Sequence, residues 1–216
     1  VTITAVNDAP VAGGDVAVTA EDTAVTTGNV LGNDSDVDSV LTPASITGFE
    51  AVSANGGTVV HNGDGTFTYT PAANFTGLDT FSYTVFDGAA SATGTVTITV
   101  TPVNEAPVLG GDATVTVAEN TTAVGTFAAT DADAGDTLTY SLSGADAGLF
   151  SITAAGVVSF TSAPDFETGP GPFTFVVTAT DALGLTDTQT ITVNVTNANE
   201  APVLGGDATV TVAENT

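Results

Sequence analysis

Carboxylates are the side chains with which this chain could do chemistry, because almost no basic group accompanies them. The 216 residues include 25 Asp and Glu, one His, and no Lys, Arg or Cys, which gives a formal charge of −25. Such a surface attracts cations. The lack of basic patches excludes nucleic acid and anionic lipid surfaces as partners. No apolar run reaches the roughly 18 residues of a membrane span, so direct membrane insertion is not expected.

The acids form short groups that recur in one order along the chain. In the second half the groups are Ala118-Glu119-Asn120, Asp131-Ala132-Asp133, Asp165-Phe166-Glu167, Ala179–Ala182 around Asp181, and Asn197–Pro202. In the first half they are Glu21-Asp22, Asp34–Asp38, Asn74–Asp79 and Phe86-Asp87-Gly88. Carboxylates that converge repel one another, by about 4 kcal/mol for a pair 4 Å apart at an effective dielectric of 20. Oxygen ligands without paired His or Cys suit calcium, which accepts about six to eight of them.

Other polar residues favour simpler interpretations. His61 has no second imidazole with which to share a metal, and we expect it to be an exposed strand residue. Asp64 lies in the hairpin-like run H-N-G-D-G-T and is expected to stabilise a turn. Asp165 and Glu167 are too close in sequence, in a chain with few aromatic residues, to suggest a glycosidase pair. Ser, Cys and Lys nucleophile systems lack activating partners, so the chain is not expected to be an enzyme.

An internal repeat sets the domain organisation. The run E-A-P-V-L-G-G-D-A-T-V-T-V-A-E-N-T spans 105–121 and recurs unchanged at 200–216, with a looser copy at 8–23. This spacing predicts tandem modules of about 95 residues. We therefore expect the last strand of an upstream repeat at 1–6, a first repeat at 7–104, a second at 105–199, and the first strand of an incomplete third at 200–216.

Alternating apolar residues predict seven short strands in each repeat. In the first repeat they are Asp15–Ala20, Asn29–Leu31, Ser45–Phe49, Thr58–His61, Thr66–Thr70, Thr80–Phe86 and Thr95–Val100. In the second they are Ala113–Val117, Val124–Ala128, Leu138–Leu142, Phe150–Ile152, Val157–Phe160, Phe173–Thr180 and Thr188–Val195. This pattern favours antiparallel sandwiches of the immunoglobulin-like type. The strands with Phe81, Tyr83 and Val85, and with Phe173, Phe175 and Val177, are expected to be central.

The order of acidic groups in the second repeat resembles the calcium motifs of cadherin repeats. The first repeat, in which N-F-T-G-L-D replaces the D-x-E motif, looks like the cadherin-like or immunoglobulin-like extender repeats of bacterial repeats-in-toxin adhesins. The resemblance covers both repeats. It implies an all-β fold of two tandem seven-stranded antiparallel Greek-key sandwiches, arranged end to end, with calcium bound where consecutive repeats meet.

The resemblance also implies which residues would be calcium ligands. Between the two repeats they would be Glu21, Asp79, Asn104, Glu105, Asp131, Asp133 and Asp181. Half of an upstream set would be Asn7, Asp8, Asp34, Asp36 and Asp87. Half of a downstream set would be Glu119, Asp165, Glu167, Asn199 and Glu200.

The function that the resemblance implies is structural. The chain would be a calcium-rigidified extender of a large bacterial surface adhesin, secreted by a type I system, that projects a distal ligand-binding domain from the cell. Its partners would be calcium and neighbouring repeats of the same chain, and it would be a monomer. Two alternatives remain open: an adhesive module for a glycan, peptide or partner repeat, and an accessory domain of a secreted polysaccharide-active enzyme.

Overall fold

The computed structural model describes residues 6–201. Its residues divide into two compact units between Asn104 and Glu105. Most of the terminal strands predicted at 1–6 and 200–216 lies outside the described residues. Within the described part of the chain, no helix has the length and apolar character needed to cross a membrane.

The first unit is a sandwich of two sheets. Its strands are β1 (Gly14–Ala20), β2 (Val25–Thr26), β3 (Ile46–Phe49), β4 (Thr58–His61), β5 (Phe67–Thr70), β6 (Gly77–Phe86) and β7 (Ser91–Thr101), with 3-10 helices at Val30–Gly32 and Pro43–Ser45. One sheet has the order β1-β7-β6-β3 and the other the order β2-β5-β4. The two sheets pack around one core, as expected for an immunoglobulin-like sandwich.

The second unit repeats this plan. Its strands are β8 (Ala113–Ala118), β9 (Ala123–Thr126), β10 (Thr139–Ser143), β11 (Phe150–Ile152), β12 (Val157–Phe160), β13 (Phe173–Thr180) and β14 (Thr186–Thr196), with a 3-10 helix at Ala147–Leu149. The sheets have the orders β10-β13-β14-β8 and β11-β12-β9. The predicted all-β fold with seven strands in each repeat is therefore confirmed.

Two local features differ from the sequence prediction. The strand predicted at Asn29–Leu31 is wrong: the Asn29 side chain accepts a hydrogen bond from Leu31 N–H and starts a 3-10 helix, and the second strand is Val25–Thr26. Such local side-chain bonds compete with strand pairing. In addition, β1 runs parallel to β7, and β8 runs parallel to β14. Each four-stranded sheet is therefore mixed, which the long chain between first and last strand permits.

The central strands carry the core, as predicted. Phe81, Tyr83 and Val85 of β6 are all at most 1% exposed, and Phe175 and Val177 of β13 are 0% exposed. Phe173 is only partly buried and packs at the edge of its core. Burying each of these large side chains contributes roughly 2–3 kcal/mol.

In the hairpin between β4 and β5, the structure agrees with the prediction for Asp64 but not with the prediction for His61. Asp64 accepts hydrogen bonds from Thr66 N–H (2.9 Å) and Thr66 Oγ1 (2.6 Å), which is the predicted turn role. His61, predicted to be exposed, is half-buried, and its ring packs on Phe67 with 4.9 Å between ring centroids. The neighbouring aromatic residues cover a strand position that local sequence alone marks as solvent-facing.

Candidate metal centre

The loop between β9 and β10 brings three carboxylates together. Asp131, Asp133 and Asp136 each offer an oxygen within 4.8 Å of the others. The loop is held closed because Asp131 Oδ1 accepts from Asp133 N–H (3.0 Å) and the Asp133 carbonyl accepts from Asp136 N–H (3.2 Å). Gly135, with φ of +95°, provides the turn. The segment Asp131-Ala-Asp133-Ala-Gly135-Asp136 thus folds into a loop that brings three carboxylates together; we call it the acidic loop of the second unit.

Two carboxylate oxygen atoms of this loop have no hydrogen-bond donor. Oδ2 of Asp131 and Oδ2 of Asp136 are both buried and unpaired. An unsatisfied buried acceptor is unfavourable, more so when it is charged. The chain has no Lys or Arg to pair with these oxygens. A cation from solution can relieve both of them, and the all-oxygen donor set fits calcium.

Asp136 was not among the predicted ligands. The sequence signal was present, since D-x-D-x-x-D continues the predicted Asp131–Asp133 pair by three residues with a glycine before the last Asp. The cadherin pattern ends at the second Asp, which is why the comparison of motifs did not include the third. Only the turn at Gly135 shows that the third carboxylate folds back.

The first unit has an equivalent loop. Its acidic residues at the equivalent positions are Asp36 and Asp38, two positions later in the chain than the predicted ligands Asp34 and Asp36. An isolated bridge joins Val11 to Ser35 as another joins Val108 to Thr130, so Asp36 corresponds to Asp131. These bridges fix the register of the two loops independently of their acidic residues.

The hydrogen bonds agree with this register. Asp8 N–H donates to Asp38 Oδ2 (2.7 Å), as Glu105 N–H donates to Asp133 Oδ2 (2.8 Å). Asp36 Oδ1 accepts from Asp38 N–H (2.8 Å), and Asp36 Oδ2 is buried and unpaired. Asp36 and Asp38 therefore occupy the positions of Asp131 and Asp133.

Asp34, a predicted ligand, makes internal contacts instead. Its Oδ1 accepts from Gly13 N–H (2.7 Å), and both of its oxygens lie within 3.2 Å of the Tyr83 hydroxyl. Asp15 Oδ2 also lies 3.0 Å from that hydroxyl, which has one proton to donate. Desolvation and the charge of Asp34 raise the pKa of Asp15, although the Tyr83 hydroxyl opposes the shift.

We expect Asp15→Asn to stabilise the first unit at neutral pH. The raised pKa means that the native state binds a proton more tightly than the unfolded state, so the Asp15 carboxylate destabilises the fold above its folded pKa and not below about pH 3.9. The amide oxygen of Asn can still accept from Tyr83. Calorimetry should show a gain of about 0.5–1 kcal/mol at pH 7, the range of partly exposed charge interactions, that vanishes near pH 3.5. A gain independent of pH would contradict this explanation.

The acids that follow β6 and β13 cap turns with one oxygen. Asp87 Oδ1 accepts from Ala89 N–H (2.6 Å) and Ala90 N–H (2.7 Å), and its Oδ2 accepts from Asn7 Nδ2 (2.9 Å). Hydrogen bonds from Ala90 N–H, Asn7 and Ala89 N–H lower the pKa of Asp87 and keep it ionised. Asn7 and Asp87, both predicted ligands, are thus in contact.

Asp181, at the corresponding place in the second unit, is 5% exposed. Its Oδ1 accepts from Leu183 N–H (2.9 Å) and Leu185 N–H (2.8 Å). Both capping aspartates therefore use the same oxygen for the turn.

A second group of three carboxylates in the second unit combines residues that follow β8, precede β13 and follow β14. Glu119, Glu167 and Glu200 each place an oxygen within 4.8 Å of the others. Glu119, 2% exposed, accepts from Ala198 N–H (2.6 Å) and Phe166 N–H (2.8 Å), and these bonds lower its pKa.

The other two glutamates of this group bind amides. Asn197 Nδ2 donates to Glu167, and Asn120 Nδ2 donates to Glu200 Oε1 (2.6 Å). A hydrogen bond from its own N–H lowers the pKa of Glu167, but desolvation and the charge of Glu119 outweigh it, and the pKa lies above its usual value.

Two predicted ligands at this end are outside the group. Asp165 Oδ1 accepts from Glu167 N–H (2.9 Å) and Thr168 N–H (3.3 Å), and so shapes the loop that carries Glu167. Asn199 is exposed in the segment after β14.

Glu21 is the first-unit counterpart of Glu119. It is 6% exposed and accepts from Val103 N–H, as Glu119 accepts from Ala198 N–H. Asn104 and Glu105, the next predicted ligands, are both half-buried. The glutamate after the first strand therefore ties down the end of each unit's last segment.

Asp79 is buried at 1% exposure and surrounded by donors. It accepts from Ser53 Oγ, from Tyr69 OH (2.7 Å), and from the N–H groups of Asn55 (2.9 Å) and Thr80 (2.8 Å). Desolvation raises the pKa of Asp79, but these hydrogen bonds outweigh it and the pKa falls below its usual value. Neighbouring residues thus supply this carboxylate with hydrogen-bond donors from several parts of the first unit. Among the described residues, neither Glu21 nor Asp79 belongs to a close group of three carboxylates.

Comparisons with known proteins agree with this architecture. The family model of the bacterial cadherin-like domain matches residues 7–102, and that of the bacterial Ig domain matches residues 104–194. The cadherin model thus matches the first unit, although the second carries the motif order that more closely resembles cadherins. No curated protein shows a significant match to the chain.

Solved cadherin structures share the fold. Mouse cadherin-23 EC22-24 is 23% identical with a TM-score of 0.56, over 86% of this chain and 63% of that chain. Human CDH23 EC21-23 is 18% identical with a TM-score of 0.59, over 85% of this chain and 67% of that chain. The chain thus spans about two thirds of the length of these structures. Domains of both families are typical of extracellular adhesion and structural proteins, not of enzymes. Residues 7–102 thus match the family of bacterial cadherin-like domains, and residues 104–194 match the family of bacterial Ig domains.

Proposed function

We propose that this chain is a calcium-stiffened extender segment of a bacterial surface adhesin. Calcium bound at the ends of the domains would be held by Asp131, Asp133 and Asp136 in the second unit, and by Asp36 and Asp38 in the first. The ion would neutralise converging carboxylates and restrict the segments that join consecutive domains. The function is then mechanical: a longer array of such domains would hold a distal binding domain away from the cell.

The buried, unpaired Oδ2 atoms of Asp131 and Asp136 are the observation that carries this proposal. They lie in one loop with Asp133, whose Oδ2 also holds Glu105 N–H. An ion in this loop would therefore act on the backbone at the start of the second unit. On the other side of Asn104, Glu21 holds Val103 N–H. Each of these two carboxylates therefore holds the backbone of its own unit next to Asn104.

The remaining predicted ligands extend the same proposal to the other ends. Glu119, Glu167 and Glu200 form the second group of close carboxylates. In the first unit, Asn7 donates to Asp87, and the next residue, Asp8, donates to Asp38 of the acidic loop, so Asn7 and Asp87 lie near that loop. The bacterial family matches and the high negative charge support an extracellular location. Type I secretion and a repeats-in-toxin adhesin as the parent protein are part of the proposal.

Calcium titration combined with small-angle scattering tests the proposed function. Calorimetry should detect calcium binding with affinities on the order of 10⁻⁴–10⁻³ M, typical of extracellular modules. Scattering should show a narrower distribution of maximum dimensions with calcium than with chelator. Magnesium is the matched control, because it demands tighter octahedral geometry and keeps its water. Calcium binding without any change in scattering would disprove stiffening, and no binding at all would disprove the calcium site.

One observation favours a second candidate function, a binding module. An open cavity of about 310 Å³ in the second unit has a mixed lining, with Leu149, Phe160 and Phe173 beside Thr161, Ser162 and Asp165. A cavity of this size accepts a small ligand or a side chain. Saturable binding on a glycan or peptide array that Leu149→Asp abolishes would support this function over that of an extender.

A further inference from the structure

Strand β1 of the first unit is an edge strand with no proline, no bulge and no charged residue at its exposed positions. It pairs with β7 in unbroken register from Gly14–Thr95 to Ala20–Thr101, and among the described residues no strand pairs with its other edge. Proteins usually protect such an edge with charge, proline, a bulge or a very short strand. The seven residues G-D-V-A-V-T-A contain no proline, and their one charged residue, Asp15, is half-buried and lies against the Tyr83 hydroxyl.

The unpaired backbone groups belong to Val16 and Val18. Glu21 N–H donates to Thr101 in β7, and backbone groups alternate in direction along a strand, so odd-numbered residues of β1 face β7 and even-numbered ones face the free edge. Consistent with this, Asn33 Nδ2 reaches the Gly14 carbonyl from the free side (3.0 Å). The backbone groups on the free edge of β1 beyond Gly14 are therefore available to pair with another strand.

The same two residues expose large apolar side chains. Val16 is 82% exposed and Val18 is 63% exposed on the outer face of the sheet. Leu78 of β6, which is 65% exposed, lies in the same row as Val18, since both pair with Thr99. In the second unit, the residues five and three positions before Glu119 are Thr114 and Thr116, where the first unit has valines before Glu21.

This part of the surface is also uncharged in a chain of charge −25. The outward positions of β1, β7 and β6 carry Val, Ala, Gly, Leu, Phe, Thr and Ser. The carboxylate of Glu50 binds Ser82 N–H (2.8 Å) at the opposite edge, beyond β6. Two strongly negative copies repel each other, and a carboxylate-free face is where they can come into contact at least cost.

We propose that β1 pairs antiparallel with β1 of a second copy, with Ala17 at the two-fold axis. Val16 then lies opposite Val18 of the second copy, where the backbone groups that face the free edge exchange hydrogen bonds. Asp15 lies opposite Thr19, so no carboxylate meets another. The two four-stranded sheets join into one, and the valines form cross-strand pairs of the kind that stabilise sheets.

The association is weak, because one strand of seven residues contributes far fewer than the roughly 20–30 residues per side of a standard interface. It strengthens with salt, since the Debye length falls from about 30 Å at 0.01 M to about 8 Å at 0.15 M and screens the repulsion between copies. Weak contacts of this kind gain strength when several copies are tethered side by side.

Sedimentation equilibrium of the 216-residue chain up to about 1 mM, at low and high salt, tests this pairing. We expect a monomer–dimer equilibrium with at least about tenfold weaker association for V16D/V18D, because like charges would meet across the strands. The matched control is T114D/T116D, which adds the same charge at the equivalent edge and should behave as the parent chain does at equal salt. V16T/V18T, which keeps β-branched residues and copies the second unit, should weaken association while leaving the melting temperature nearly unchanged.

Cross-linking tests the register. The chain has no cysteine, so a V16C/V18C variant should form disulfide-linked dimers on mild oxidation, while V16C alone should form far fewer because position 16 faces position 18. A chain that stays monomeric at 1 mM and high salt would overturn the proposal. So would equal loss of association in V16D/V18D and T114D/T116D, or equal cross-linking of the single and double cysteine variants.

Discussion

Asp79→Ala should destabilise the first unit by about 3–5 kcal/mol, because the substitution leaves several buried donors without an acceptor at roughly 1–3 kcal/mol each. The donors are Ser53 Oγ, the Tyr69 hydroxyl, and the N–H groups of Asn55 and Thr80. In a domain of this size each kcal/mol lowers the melting temperature by about 4–8 °C. Calorimetry of the chain should therefore show one transition moved far down and the other unchanged.

The response to calcium separates the two roles available to Asp79. If the carboxylate acts only through its internal donors, the loss of stability is equal in calcium and in chelator. A loss that appears only in calcium would show instead that Asp79 is the ligand that the cadherin resemblance implies. Asp64→Ala is the control, because Asp64 is exposed in a hairpin turn and its removal costs only the two bonds to Thr66.

The double substitution Asp131→Asn with Asp136→Asn should abolish the stabilisation of the second unit by calcium. A ligand present at about 100 times its dissociation constant stabilises the native state by about 2.7 kcal/mol. The variant should lose this gain, because the two unpaired buried oxygens become parts of neutral amides. In chelator the variant should be at least as stable as the parent chain, since the repulsion among three carboxylates is reduced.

This opposite effect in calcium and in chelator distinguishes a ligand site from a structural one. The measurement is the melting temperature in two conditions. One contains about 10 mM calcium, which exceeds the dissociation constants typical of extracellular modules, and the other contains about 1 mM chelator and no added calcium. Asp64→Asn removes a charge outside the loop and should keep the full response to calcium. An unchanged calcium response in the double variant would show that these carboxylates do not hold the ion.

Patterns with a short period were the most predictable part of this protein. Alternation along β6 and β13 placed Phe81, Tyr83, Phe175 and Val177 in the cores, because a side chain's face in a strand depends only on its parity. Val30 is the exception, because it lies in a 3-10 helix where the sequence pattern predicted a strand. Its helix forms because Asn29 bonds to the backbone locally, and two apolar residues between Asn29 and Gly32 do not reveal that competition.

The sequence by itself determined that this chain folds as two all-β repeats with carboxylates grouped at their ends, because composition, periodicity and self-similarity are local properties. Only the tertiary structure decided what each carboxylate does. Asp34 and Asp79 turned inward because Tyr83, Tyr69 and Ser53, distant in sequence, donate hydrogen bonds to them. Asp36 and Asp131 kept a buried oxygen without a donor. Whether a carboxylate needs a cation depends on which donors the rest of the fold brings within reach, and no spacing of acids along the chain encodes that.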